Sequence, residues 1–82
     1  MKIYDYNGKK NISGIRIKEA RLKSGLSQAE LAVQLQINGI TIERDCISRI
    51  EIGTRFIPDY ELPIYAKIFN VSVEWLLGIA EN

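Results

Sequence analysis

Apolar residues recur at Leu26, Leu31, Ala32 and Leu35, the three-and-four spacing of one helix face. Ser27-Gln28-Ala29-Glu30 stands at the head of this stripe as an S-x-x-E capping box, with Leu26 and Leu31 at the staple positions. In that arrangement the Ser27 hydroxyl accepts from the Glu30 amide and the Glu30 carboxylate reaches back, so a helix starts at Gln28. Asn38-Gly39 is a turn dipeptide, and the β-branched stretch Ile40-Thr41-Ile42 leads out of it. The next helix is predicted over Arg44 to Ile52, with Ile47 and Ile50 inward and Gly53 as its stop. Glu43 is a weak N-cap there, although acids at Glu43 and Asp45 suit the positive helix end.

The flanks read as three more short helices. The first is expected from near Ser13 to Ser24, with Gly25 as a left-handed stop, Ile17, Ala20 and Ser24 on one face, and Ile15 and Leu22 on a second apolar stripe. Asp59 after Pro58 is the expected cap of a fourth helix ending near Asn70, with Pro63 tolerated in its first turn. Ser72 then caps a fifth helix carrying Val73, Trp75, Leu76 and Leu77, closed by Gly78. Residues 1–12 lack periodicity and read as an arm. Residues 79–82 form a tail, which leaves 13–78 as one all-α domain of five short helices.

Composition narrows the chemistry. The 82 residues are 46% hydrophobic, which suits one compact core and excludes a disordered chain. No apolar run reaches the roughly 18 residues of a membrane span, and the N-terminus lacks the apolar stretch of a signal peptide. A single cysteine rules out an internal disulfide and a multi-cysteine zinc site, and the absence of histidine removes the commonest general base and metal ligand. No phosphate-binding glycine loop or acid cluster with ligand spacing is present, so the expectation is a non-enzymatic cytoplasmic protein with no cofactor, metal or small-molecule ligand. Net charge is only +1, yet residues 1–25 carry seven Lys/Arg against two acids, while residues 56–82 carry one against four. A basic end of this kind can face phosphates, or simply be solvated.

Three fragments in order carry a family likeness: Leu26-Ser27-Gln28-x-Glu30-Leu31-Ala32, Ile47-Ser48-Arg49-Ile50-Glu51-x-Gly53, and Val71-Ser72-Val73-x-Trp75-Leu76-Leu77. Together they resemble the Cro/lambda-repressor-like (xenobiotic-response-element type) helix-turn-helix family over roughly residues 13–78. The resemblance implies a compact five-helix lambda-repressor-like domain whose third helix enters the DNA major groove. One departure stands out: the stretch from Leu35 to Ile47 is about five residues longer than the family's common spacing. It is similar to a subfamily with a lengthened connection between helices two and three, in which helix two gains about a turn before Asn38-Gly39.

The resemblance implies a phosphate contact by the Gln28 amide at the start of helix two, a backbone contact by Thr54 and Arg55 in the loop after helix three, and a partly buried ion pair between Arg21 and Glu51. On helix three, Arg44 and Arg49 are the candidate base readers, because a guanidinium can bond guanine O6 and N7 together. Asp45 can accept from cytosine N4, but an acid beside phosphates is costly, so support of the helix start is its bland alternative. Ser48 is small enough for a base or a phosphate contact. Lys9 and Lys10 reach either the minor groove or a phosphate, or belong to a solvated arm. Cys46 has no obvious activating group and reads as an inert small residue, and Trp75 reads as core.

The leading expectation is therefore a sequence-specific transcriptional regulator, a repressor acting as a homodimer on a palindromic operator in double-stranded DNA. The family likeness also suggests a prophage or mobile-element setting. Dimer contacts are expected around Leu77 and Ile79 or along the Ile15/Leu22 stripe. The alternative is an antitoxin-like or other protein-interaction module that sequesters a partner protein, for which the acidic C-terminal half leaves room.

Overall fold

A computed structural model describes residues 6–80; residues 1–5 of the expected arm and 81–82 of the expected tail lie outside the described residues. Five α-helices follow in order: α1 (Gly14–Lys23), α2 (Gln28–Ile37), α3 (Arg44–Ile52), α4 (Leu62–Phe69) and α5 (Val73–Leu76), with a single 3-10 turn, Asp59–Glu61, before α4. No strand occurs among the described residues, so the domain is all-α. No helix in this region is long and apolar enough to cross a membrane.

Each helix starts and stops for a local reason. At α2 the Glu30 amide donates to Ser27 Oγ at 3.0 Å, and the Ser27 amide donates to Glu30 Oε1 at 2.8 Å. The hydrogen bonds from Ser27 hold the exposed Glu30 carboxyl below its ordinary range. A glutamate with a lowered folded-state pKa stabilises the fold above its unfolded pKa and stops doing so as pH falls through the folded value. Ser27→Ala removes the hydroxyl that caps the Glu30 amide and is expected to cost about 1 kcal/mol. The Ser27 backbone amide is the larger cause of the lowered pKa, and alanine keeps it. The variant that should flatten the acid limb of a stability-against-pH curve is therefore Glu30→Gln, which urea titrations at several pH values would measure.

Gly53 at φ +87 and Asn70 at φ +56 end α3 and α4 in the left-handed conformation. The Trp75 amide donates to Ser72 Oγ at 2.9 Å at the head of α5. Two helix starts are built differently. Ser13 precedes α1 but makes no side-chain cap; it is buried, and Asn11 Oδ1 accepts from the Gly14 amide at 2.7 Å instead. Asp59 does not cap α4 either. The Glu61 amide bonds the Pro58 carbonyl, which tightens residues 59–61 into the 3-10 turn, and α4 begins three residues later with Pro63 in its first turn.

The core is built from Ile17 and Ala20 of α1, Leu31, Ala32 and Leu35 of α2, Ile47 and Ile50 of α3, and Tyr65, Phe69 and Leu76 from the C-terminal helices. Burial is the main cause pushing the Tyr65 hydroxyl pKa up, with the neighbouring Glu61 charge acting in the same direction. Ser24 caps the end of α1 and is exposed. Trp75 is half-buried, its ring covered by the Arg16 guanidinium at 5.0 Å, so it lies at the margin of the core.

The lengthened connection is part of this core. α2 ends at Ile37, and residues 38–43 then cross to α3 with Ile40 and Ile42 buried and Thr41 facing out. The Ile40 amide closes α2 on the Leu35 carbonyl, and Gln36 Nε2 donates to the Ile42 carbonyl at 2.9 Å. Two isoleucines and a side-chain clamp thus set the path by which α3 is delivered.

Residues 6–12 are ordered against the domain. Tyr6 and Lys9 exchange both backbone hydrogen bonds around Asn7 (φ +51) and Gly8 (φ +81), the geometry of a primed two-residue hairpin turn. From this turn the chain runs over the end of α3, where the Lys10 amide donates to the Gly53 carbonyl at 2.7 Å.

Candidate nucleic-acid interface

α3 is held by one side and presents the other. Ile47 and Ile50 have no solvent exposure and pack toward α1 and α2, and Glu51 is buried beside them. A turn of 3.6 residues then places Arg44, Asp45, Ser48 and Arg49 on the outward side, where Arg44, Asp45 and Arg49 are exposed and Ser48 is half-buried. Arg44 Nη2 lies 3.9 Å from Asp45 Oδ1, at the margin of an ion pair, with both side chains mostly in solvent. Such a pair contributes little and leaves the guanidinium available. Arg49 has no side-chain partner among the described residues. Ile52 continues this surface toward the C-terminus and is exposed.

Beyond α3, Gly53 turns the chain, and Thr54 folds back onto the Arg49 carbonyl through its amide at 2.8 Å and its hydroxyl at 3.3 Å. Arg55 follows with a half-buried side chain. Thr54 is therefore anchored immediately after α3, with Arg55 beside it on a loop whose start is part of the helix cap.

Behind α3 lies a buried polar cluster. Arg21 Nε donates to Glu51 Oε2 at 2.6 Å and Nη2 donates to Glu51 Oε1 at 3.2 Å, a two-pronged pair joining α1 to α3. Arg21 Nη1 also donates to the Leu26 carbonyl at 2.9 Å, in the turn before α2. Gln28, expected at a phosphate, sends its amide to Glu51 Oε1 at 3.0 Å. It thereby belongs to the cluster, with one amide hydrogen left over. The start of α2 is tied to the end of α3 through Glu51, so the two helices keep a common frame.

The arm lysines are engaged at the other end of α3. Lys9 Nζ donates to the Ile52 carbonyl at 3.0 Å, where a cation meets the negative helix end. Lys10 Nζ stands over the Phe56 ring at 5.2 Å. Asn11 was not singled out from sequence as a functional residue. Its bonds reach residues about forty positions away, although the Asn7-Gly8 hairpin signal beside it was readable. Cys46 is a half-buried free thiol on α3. Among the described residues no three His, Cys, Asp or Glu side chains converge as metal ligands would.

A further surface lies between the arm, α1 and the end of α3. Tyr6, Ile12, Ile15 and Ile52 are exposed and line a groove of about 400 Å³ with Lys9 and Glu51 at its walls. Comparison with protein-family models and with curated proteins yields no match to the chain.

Proposed function

We propose that this chain is a sequence-specific DNA-binding transcriptional regulator of the Cro/lambda-repressor-like type. α3 is the reading element, and the protein acts in the cytoplasm as a repressor, binding as a homodimer to a palindromic operator. The observation that carries the reading is the two-sidedness of α3: one side locked into the core by Ile47, Ile50 and Glu51, the other offering Arg44 and Arg49 to solvent. A rigid helix with guanidinium groups on its free side suits the donor and acceptor pattern of the major groove. In this reading Arg44 and Arg49 contact bases, and Ser48 contacts a base or a phosphate. Asp45 supports the helix start, and Thr54 and Arg55 contact the backbone. The remaining amide hydrogen of Gln28 and the open N–H groups at the start of α2 suit a further phosphate. A phage or mobile-element origin is the setting that the family likeness favours.

Pairing is supported by apolar side chains on the surface. Ile15 and Leu22, one above the other on α1, are 73% and 60% exposed, and Ile79 after α5 is 74% exposed. The described arm residues leave the Ile15/Leu22 stripe uncovered. These same faces, with the groove bounded by Tyr6 and Ile12, favour the second reading, in which the chain binds a protein partner.

The two readings separate by salt. Phosphate contacts release counterions, so log K for duplex DNA falls with log salt by roughly 0.9 for each contact. Titration of a labelled duplex between about 50 and 200 mM salt is expected to give a slope of about −3 or steeper. Duplex binding that is absent at both ends of this range, beside salt-insensitive association with a protein, would favour the second reading.

A further inference from the structure

The loop between α3 and the 3-10 turn, residues 53–58, has no regular structure of its own. Its start is held by the Thr54 bonds to Arg49. What holds Arg55 comes from the other end of the chain. Asn11 Nδ2 donates to the Arg55 carbonyl at 2.8 Å and to the Ile50 carbonyl at 3.1 Å, while Oδ1 accepts from the Gly14 amide at 2.7 Å. One side chain thus uses both its donors and its acceptor to join three elements: the first turn of α1, the last turn of α3 and the exit loop. The contact is close. A Cβ on Gly14 would run into the Ile50 carbonyl oxygen and crowd Asn11 Oδ1, so α1 can begin here only with glycine. Lys10 reinforces the junction through the Gly53 carbonyl.

We infer that Asn11 is a positioning residue for the DNA backbone contact of Arg55. It fixes the Arg55 main chain relative to α3, so that a phosphate bound by Arg55 and the bases read by α3 keep a constant offset. The inference rests on the DNA-binding reading above. It assigns to a residue before the first helix a role in the interface without any contact to DNA. Threonine or serine at this position lacks the second donor, and alanine lacks all three bonds.

The test compares the wild-type protein, Asn11→Ala, Arg55→Ala and the double variant on one selected duplex and on a random duplex, across the same salt range. Circular dichroism of each variant establishes the folded fraction. Loss of one phosphate contact from each protomer of the dimer weakens binding about equally on both duplexes and reduces the salt slope by about 2. Asn11→Ala is expected to produce that change, and to add nothing further in the Arg55→Ala background. A residue that only supports the fold would lower the active fraction and leave the slope of the folded protein unaltered, and that result overturns the inference. So does an Arg55→Ala slope equal to wild type, which remains measurable if Asn11→Ala does not fold, because then no contact exists to be positioned. Failure of the wild-type protein itself to bind either duplex overturns the DNA-binding reading, and the inference falls with it.

Discussion

Glu51→Ala is expected to remove about 3–5 kcal/mol of folding stability, the cost of leaving one member of a buried ion pair alone. The Arg21 side chain is 9% exposed and that of Glu51 2%, so water cannot replace the lost carboxylate without opening the α1–α3 contact. Two of the three Arg21 bonds go with it, leaving only the one to the Leu26 carbonyl, and Gln28 loses its partner as well. For a domain of this length total stability is on the order of 4–12 kcal/mol, so a substantial unfolded population is expected on warming. Removal of both charges behaves differently. Arg21→Met combined with Glu51→Leu replaces an expensive desolvated pair with apolar volume, and should lie closer to wild type than Glu51→Ala does. Urea denaturation of the three proteins decides it. A double variant as unstable as Glu51→Ala or more so would show that the pair contributes net stability beyond avoiding an orphaned charge.

The same cluster explains why a change far from α3's outer side would disturb recognition. Glu51 is held by α1 through Arg21 and by α2 through Gln28, so its loss removes these polar ties of α3 to both neighbours. In the proposed reading, Glu51→Ala is therefore expected to reduce DNA binding through lost framework, whereas the loss expected of an Arg44 variant is local.

How far the architecture was legible depended on the range of the interactions that specify each part. The starts of α2 and α5 lie in hydrogen bonds that span three residues, Ser27 with Glu30 and Ser72 with Trp75, and such short-range signals are readable from sequence. The stop of α3 at Gly53 and the inward placing of Ile47 and Ile50 are likewise local. The lengthened connection was visible only as extra residues. That Ile40 would join Ile42 in the core depends on α2 ending at Ile37, which is a tertiary outcome. Asp59 looked like a cap because it follows proline, but the 3-10 turn placed it ahead of the helix proper. The residues before α1 were the least legible. Asn11 and Lys9 find their partners on Ile50, Ile52 and Arg55, and no periodicity encodes a contact across forty residues. For the candidate interface, the exposed side of α3 followed from the helix period, but the diversion of Gln28 to Glu51 did not.

The second large effect concerns the outer side of α3. A bidentate arginine–guanine pair contributes about 1–3 kcal/mol of discrimination against the wrong base. In the proposed reading, removal of two such readers is expected to cost about 2–6 kcal/mol on each half-site, or roughly thirtyfold to more than ten-thousandfold in affinity per half-site. Because Arg44 and Arg49 are exposed and hold no core contact, the Arg44→Ala/Arg49→Ala protein is expected to keep wild-type stability within about 0.5 kcal/mol per site. Affinity for random duplex should fall far less than affinity for the preferred site, because phosphate contacts elsewhere survive.

The most direct measurement is selection from a random duplex pool by the purified wild-type protein and by the Arg44→Ala/Arg49→Ala variant, each shown to be folded, at near-physiological salt. The proposed reading predicts that wild type enriches a palindromic site and that the double variant does not. Enrichment of the same site by both proteins would contradict recognition through α3, and enrichment of no site by the wild-type protein would contradict sequence-specific regulation by this chain alone.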